Sequence, residues 1–102
     1  MAIMLQFTWD GVTPEQYDAV RAEVGWLEEP PAGGRVHTAA FSDGTLHITD
    51  VWDSAEDFQA FAADRLMPVV QRLGVPGEPT IRILPLHEVS CPEPATVLLS
   101  SV

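Results

Sequence analysis

The chain has 102 residues, enough for one small domain and too few for a separate nucleotide-binding domain or a barrel of eight βα units. Hydrophobic residues make up 46% of it, so a core can form, and its net charge is −10. Nucleic acids and anionic membrane surfaces are bound through clustered Lys and Arg. The basic residues here are five scattered Arg, which argues against both kinds of partner and leaves solubility as the reason for the acidity.

One cysteine, Cys91, rules out an intramolecular disulfide and any metal site built from two cysteines. The first residues contain no basic segment, and Gln6 and Asp10 interrupt the apolar run that a signal peptide needs. No apolar run approaches the ~20 residues that span a bilayer. We therefore expect a cytoplasmic protein.

Hydropathy patterns and turn residues predict six elements: a strand over 2–9, a helix over 14–24, strands over 35–41 and 45–52, a helix over 55–73 and a strand over 80–89. The first strand follows from strict alternation of apolar side chains. The first helix has three start signals, which are Thr13 as the N-cap, Pro14 at the first helical position and Gln16 for a capping box. Gly25 is expected to end it.

The middle of the chain carries the strongest short-range hairpin signal. The dipeptide 43–44 (Asp-Gly) lies between two alternating runs and favours a two-residue turn. The preceding stretch 28–34, rich in Pro and Gly, predicts a loop. Ser54 then caps the second helix. Because Pro68 lacks a backbone donor, we expect a kink or a break near Met67.

The element order is that of a ferredoxin-like α+β fold, in which one four-stranded antiparallel sheet carries both helices on one face. Pro85 is expected to place the last strand at an edge. The residues expected on the other face include Met4, Gln6, Thr8, Leu84 and Leu86. This face is too apolar to remain in water, so we expect a homodimer that packs face to face. Residues 1–89 form the domain, and 90–102 form a tail in which 97–99 are apolar enough to dock.

Three segments resemble the dimeric α+β barrel superfamily: the run 49–54 (Thr-Asp-Val-Trp-Asp-Ser), the pair Phe58 and Phe61, and the run 65–70 (Arg-Leu-Met-Pro-Val-Val). Within it, the chain is most similar to small antibiotic-biosynthesis-monooxygenase-like proteins. The hallmark is a hairpin that ends in Trp-acid-Ser, where the Ser begins the second helix. The resemblance covers about residues 2–89.

This resemblance implies a homodimer and an activity that uses neither metal nor flavin. Family members oxidise phenolic polycyclic substrates in a pocket between the sheet and the helices of each subunit. Polar side chains there hold and deprotonate the substrate, which then reacts directly with oxygen. Trp52 matches the tryptophan at the pocket rim. The chain departs from the pattern at Ile48, which is apolar where a polar group would help, and it contains no Asn.

The hairpin places two titratable side chains together. With a two-residue turn at 43–44, His37 lies opposite Asp50, about 5 Å away at Cβ, on the face that the helices cover. A carboxylate beside an imidazole fixes its tautomer and raises its basicity, as a general base requires. One alternative is a structural hydrogen bond at the sheet end. Another is a three-residue turn with a bulge, which would separate the pair.

Large side chains are expected to border the space between the helices and the sheet. The candidate binding residues are Tyr17, Trp26, Ile48, Trp52 and Phe58. Buried Tyr and Trp need partners for their O–H and N–H groups, and a cavity lined by them suits a planar ligand. The stretch 28–34 is a candidate lid. The alternative is that the aromatic side chains simply fill the core.

The remaining candidate residues have weaker support for a functional role. His47 is expected to face the partner subunit, and His87 lies near the end of the last strand. The spacing of the three histidines matches no metal-site motif, so we expect no metal. Arg82 either pairs with an acidic residue across the dimer or holds an anionic ligand. Cys91, in the tail, is not expected to act as a nucleophile.

Two functions remain open at this point. One is a cofactor-independent enzyme that acts on an aromatic or polyketide-like metabolite, with His37 as the base and Asp50 as its orienting group. The other is a non-catalytic binding module or structural dimer whose interior is filled by its own side chains. Cavity volume separates them: a few hundred Å³ favours the enzyme, and a packed interior favours the module.

Overall fold

The computed structural model describes residues 1–91 and has the predicted α+β architecture. Its elements are β1 (Ile3–Asp10), α1 (Pro14–Val24), β2 (Gly34–Ser42), β3 (Thr45–Trp52), α2 (Ala55–Phe61), a π-helical turn (Ala62–Leu66), α3 (Met67–Arg72) and β4 (Thr80–Pro85). The strands form one antiparallel sheet in the order β2-β3-β1-β4, and the helices pack on one of its faces. This is the ferredoxin-like arrangement that the element order predicts.

Strand β1 lies in the middle of the sheet, where it pairs with β3 and β4. The side chains that it turns toward the helices, all buried, are Ile3, Leu5, Phe7 and Trp9. They pack against Phe58, Phe61 and Val70. The predicted alternation is therefore confirmed, because a strand with one covered face must repeat its apolar side chains every second residue.

Helix α1 begins and ends as predicted. Thr13 Oγ1 accepts a hydrogen bond from the backbone N–H of Gln16 (3.1 Å), and Gln16 Oε1 accepts one from the backbone N–H of Thr13 (2.9 Å). This capping box satisfies two donors that the helix leaves unpaired. Gly25 ends the helix in the left-handed conformation, with φ of 67°. Tyr17 lies on the side of α1 that packs against the core.

The β2–β3 hairpin closes through the expected two-residue turn, 43–44, whose φ angles are 52° and 77°. Positive φ at both positions is typical of the tight turns whose twist matches that of the strands. The resulting register places His37 opposite Asp50. The only shift of register in this pair of strands falls between Gly34 and Val36, beyond the His37–Asp50 pair.

Pro68 changes the type of the second helix without ending it. The π-helical turn Ala62–Leu66 joins α2 to α3, which begins at Met67. Proline has no N–H, and its ring clashes with the carbonyl four residues earlier, here that of Asp64. The wider π turn accommodates this missing bond. The expected break near Met67 is confirmed as a change from π-helical to α-helical geometry.

Strand β4 is shorter than the predicted 80–89, because pairing with β1 ends at Pro85. The missing N–H of Pro85 does not interrupt this pairing, because the next backbone bond, from the N–H of Leu86 to the carbonyl of Ala2 (3.0 Å), still forms. Pairing ends there because β1 begins at Ile3. His87 therefore lies outside the sheet and is exposed, which corrects its place on the last strand. The prediction of an edge strand is confirmed, since β4 borders only β1.

The face of the sheet away from the helices is open in the described part of the chain. Met4, Gln6 and Thr8 on β1 are half-buried there, and His47 and Thr49 on β3 are exposed. The predicted homodimer, which would cover this face, stays a prediction. None of the described helices has the length and hydropathy needed to cross a membrane.

Little of the predicted tail, 90–102, belongs to the described part. Ser90 and Cys91 are described and exposed. The apolar stretch 97–99, expected to dock on the domain, lies outside the described residues.

Candidate functional site

A cavity of about 90 Å³ lies between α1, the continuous helical run from α2 to α3 and the helix-covered face of the sheet. Most of its lining is apolar. Besides the indole N–H groups of two tryptophans, four lining residues carry a polar group: Tyr17 and Arg21 on α1, His37 on β2 and Asp50 on β3. Small-molecule sites combine an apolar wall with a few converging polar groups, so this cavity is the candidate site.

The cavity volume lies between the two expectations: it is smaller than a few hundred Å³, but the interior is not completely filled by side chains. At about 90 Å³ it is smaller than a cavity of ~150 Å³ that accepts benzene. A bound ring must therefore extend through the mouth or push a lining side chain outward. Arg21 is the one exposed residue of the lining, and the other lining residues are buried or half-buried.

Three of the polar groups form a hydrogen-bonded chain along the cavity wall. Asp50 Oδ1 lies 2.8 Å from His37 Nδ1, and His37 Nε2 lies 2.6 Å from the hydroxyl of Tyr17. At the inner end, Trp52 Nε1 donates to Asp50 Oδ2 over 3.2 Å. The pairing of His37 with Asp50, predicted from the hairpin register, is thus confirmed as geometry.

The burial of Asp50 assigns the direction of these bonds. Its side chain is 5% exposed, and both of its carboxylate oxygens accept a bond. A carboxylate only accepts, so His37 Nδ1 carries a proton and the neutral ring keeps Nε2 as an acceptor for the Tyr17 hydroxyl. In residues 1–91, every buried side-chain N and O atom has a hydrogen-bond partner. The chain of bonds is therefore fully satisfied and has one preferred arrangement.

Aromatic rings surround the imidazole of His37. The Trp26 ring centroid lies 5.2 Å from it, and the Tyr17 ring is nearly coplanar with it, meeting it through the hydrogen bond at a centroid distance of 6.1 Å. Trp26 also meets Trp52 edge-on at 5.4 Å, which holds its ring against the site.

The Tyr17 hydroxyl is shifted from its ordinary behaviour. Burial raises its pKa, because the phenolate loses hydration. Arg21, one helical turn along α1, lowers the pKa, while the negative charges of Asp50 and Asp18 raise it. The net direction is upward, so Tyr17 is protonated at neutral pH and donates to His37.

The structure brings six of the seven predicted site residues to the cavity wall. These are Tyr17, Trp26, His37, Ile48, Asp50 and Phe58. Trp52 lies behind the wall and is 0% exposed, so it reaches the site only through Asp50. The predicted lid is partly packed down, since Pro31 is buried.

The other candidates lie elsewhere. His47, Arg82 and His87 are exposed and take no part in the cavity lining. Within residues 1–91, no three His, Cys, Asp or Glu side chains come together in a group that could hold a metal ion.

Sequence reasoning missed two features of the site. Arg21 was not singled out, although its spacing of four residues from Tyr17 places both on one helix face. The contact between Tyr17 and His37 depends on how α1 crosses β2, which no local pattern encodes. The helical spacing was thus a usable signal for Arg21, whereas the contact required the tertiary fold.

Comparisons with known proteins find similarity in the fold. Neither a protein-family model nor a curated protein sequence matches it. Among solved structures, it is similar to SnoaB, a cofactor-independent oxygenase from Streptomyces nogalater, at 16% identity and a TM-score of 0.63, over 90% of this chain and 97% of that one.

Two further solved structures are similar over most of their length. The monooxygenase ActVA-Orf6 of Streptomyces coelicolor, in complex with nanaomycin D, is 19% identical with a TM-score of 0.62, over 90% of this chain and 93% of that one. NE2512 of Nitrosomonas europaea, a protein of unknown function, is 17% identical with a TM-score of 0.65, over 90% of this chain and 96% of that one. Identities this low show a shared fold, and one fold serves many functions. The chain has the fold of the antibiotic biosynthesis monooxygenase-like proteins.

Proposed function

We propose that the chain is a small, cofactor-independent monooxygenase-like enzyme acting on an aromatic or polyketide-like metabolite with an acidic hydroxyl. The observation that carries the proposal is the hydrogen-bonded chain from Asp50 through His37 to Tyr17 in the wall of an apolar cavity. Two proteins of the same fold, an oxygenase named as cofactor-independent and a monooxygenase in complex with nanaomycin D, support the class of reaction.

His37 is the base in this proposal, and Tyr17 connects it to the substrate. Because the Tyr17 hydroxyl already donates to His37 Nε2, a substrate hydroxyl in the cavity gives its proton to the Tyr17 oxygen as the Tyr17 proton passes to His37. The transfer is concerted, so Tyr17 need not exist as a phenolate, which its raised pKa disfavours. Asp50 holds the ring in the required tautomer and stabilises the imidazolium.

The remaining site residues bind the substrate ring or position Asp50. Trp26, Ile48 and Phe58 supply the apolar wall against which a planar ring packs. Trp52 positions Asp50 through its indole N–H.

The overall reaction needs no external reductant. The deprotonated substrate forms a bond from a ring carbon to O₂, giving a peroxide. This takes up the proton held on His37, and loss of water leaves a ring carbonyl. One oxygen atom enters the product and the other leaves as water, and the substrate supplies all four electrons.

The test uses 1,5-dihydroxynaphthalene, which with O₂ gives juglone and water. Juglone formation and oxygen uptake are followed in buffer containing a chelator. We expect His37→Ala to lower the rate about 10²–10⁴-fold, the usual contribution of general acid–base catalysis. Tyr17→Phe should lower it as well, because it removes the proton connection.

The matched control is His87→Ala, which removes an exposed histidine outside the cavity. It should keep the full rate. Equal juglone formation by the natural chain and by the His37→Ala variant would contradict the proposal.

We also propose that the chain works as a homodimer in the cytoplasm, with the open face of the sheet covered by a second copy. The half-buried Met4 and Leu84 on that face support this. Native mass spectrometry should give twice the 11.1 kDa of one chain. Thr49→Glu, on the open face, should shift the mass to the monomer, whereas Ala22→Glu on the exposed side of α1 should not.

The cavity volume favours a second candidate, a non-catalytic dimer whose interior is filled by its own side chains. About 90 Å³ is well below the ~300–1,000 Å³ of most ligand sites, as this candidate requires. Comparing the native mass with the denatured mass of the same sample tests this. A dimer that releases no small molecule on denaturation and turns over no 1,5-dihydroxynaphthalene would favour this packed dimer over the enzyme.

A further inference from the structure

Arg21 is the only arginine in the lining of the cavity, which contains no lysine. It follows Tyr17 by four residues on α1, so the two side chains lie on the same helix face. Because Arg21 is the one exposed residue of the lining and its charge acts on Tyr17, we take the mouth to lie on its side, near the hydroxyl that ends the hydrogen-bonded chain.

The other arginines are engaged or lie elsewhere. Arg35 pairs with Asp53, Arg72 pairs with Glu23, and Arg65 donates to the backbone carbonyl of Val24. In the part of the chain that the structure describes, no carboxylate lies within the 4.0 Å of Arg21 that defines these ion pairs. In a chain with a net charge of −10, a cation that borders a cavity and pairs with none of the described acids is available to a ligand.

We propose that Arg21 and Tyr17 form an anion-recognition site at the mouth, and that the ligand is a hydroxylated aromatic acid. Its carboxylate binds the guanidinium, its ring enters the apolar cavity, and its hydroxyl meets Tyr17. Guanidinium binds carboxylate through two parallel hydrogen bonds, which fixes orientation as well as affinity. The inference rests on the proposed function in taking this cavity as the ligand site.

Two further observations agree with this placement. The cavity volume of about 90 Å³ leaves no room for the whole of such a molecule, so its charged end lies outside, where Arg21 is. The guanidinium also lowers the pKa of Tyr17, so it already stabilises negative charge at the point where the ligand hydroxyl arrives.

The test compares 3-hydroxybenzoate with 3-hydroxybenzamide, two probes of nearly the same shape that differ in charge. Dissociation constants are measured by titration calorimetry for the natural chain, Arg21→Gln and Arg35→Gln. The last variant removes an exposed arginine outside the cavity lining and so matches the change in net charge. Circular dichroism and thermal melting establish that each variant is folded.

We expect the natural chain and Arg35→Gln to bind 3-hydroxybenzoate at least about tenfold more tightly than the amide, as one charge-assisted pair provides. Arg21→Gln should lose this preference while keeping its affinity for the amide. Equal binding of the two probes by the natural chain, no binding of either, or a preference that survives in Arg21→Gln would each overturn the inference.

This outcome is separate from that of the proposed function. An Arg21-dependent preference with no juglone formation would leave the anion site and reject the enzyme. His37-dependent juglone formation with no Arg21-dependent preference would do the reverse.

Discussion

The environment of Asp50 predicts a large difference between two substitutions that both remove its charge. Asp50→Ala leaves the N–H groups of His37 and Trp52 buried without an acceptor. Each orphaned donor costs about 1–3 kcal/mol, so the variant should lose about 2–6 kcal/mol of unfolding free energy. That is a large share of the ~5–15 kcal/mol that stabilises a typical domain.

Asp50→Asn should cost much less. The amide oxygen still accepts from Trp52, and the amide N–H₂ can donate to His37 Nδ1, so no buried group is left unpaired. Each bond only weakens from charge-assisted to neutral, by about 1 kcal/mol, for a total of about 2 kcal/mol.

The same exchange reverses the tautomer of His37. When Nδ1 accepts, the ring proton moves to Nε2, which then donates to the Tyr17 oxygen. The Tyr17 proton can no longer pass to His37, so the variant should be folded and inactive. In catalytic triads, the corresponding wrong tautomer lowers kcat by about 10⁴.

Two measurements check this reasoning. Urea unfolding gives the free-energy differences, with Glu78→Gln, an exposed loop substitution, as the control that should stay within about 0.5 kcal/mol. Nitrogen NMR of the imidazole rings reports which nitrogen of His37 carries the proton. Equal stability of Asp50→Ala and Asp50→Asn would contradict the predicted loss of two hydrogen bonds. The same tautomer of His37 in the natural chain and in Asp50→Asn would contradict the predicted inactivation.

Three further predictions concern charge and backbone. Tyr17 is the only tyrosine, so the absorbance change of tyrosine ionisation reports its pKa. This pKa should lie above the ordinary value of 10.0, and higher still in Arg21→Gln. A midpoint at or below 10.0 in the folded chain would contradict the burial argument. Since the folded pKa is raised, this group should make the fold less stable as pH rises past 10.0. Arg35 lowers the pKa of Asp53, so their exposed ion pair should stabilise the fold above the ordinary Asp pKa of 3.8 and stabilise it less as pH falls through the lowered value. Arg35→Gln should therefore flatten the acid-side dependence of the unfolding free energy on pH, measured by urea unfolding. Gly33→Ala should destabilise the fold more than Gly44→Ala: both have positive φ, but a Cβ on Gly33 would lie 2.6 Å from Cγ of Asp57, whereas Gly44 faces open space; equal urea midpoints would refute this clash.

Short-range patterns in the sequence determined the helices and strands and one residue pair of the site, His37 with Asp50. The alternation of β1 and the capping box at Thr13 act over a few residues, so they are readable without tertiary structure. The two-residue turn at 43–44 determined the hairpin register, and with it the pairing of His37 with Asp50. Even the disturbance at Pro68 follows from its missing N–H, although its form as a π turn does not.

Tertiary packing decided the rest. Whether Tyr17 reaches His37 Nε2 depends on the crossing of α1 over β2, which is set by side chains far apart in sequence. The end of β4 at Pro85 depends on where its partner β1 begins. The cavity of about 90 Å³ and the place of Arg21 at its mouth result from how completely two layers fill the space between them. Such a volume is a small difference between large packed volumes, so no pattern of residue types along the chain specifies it.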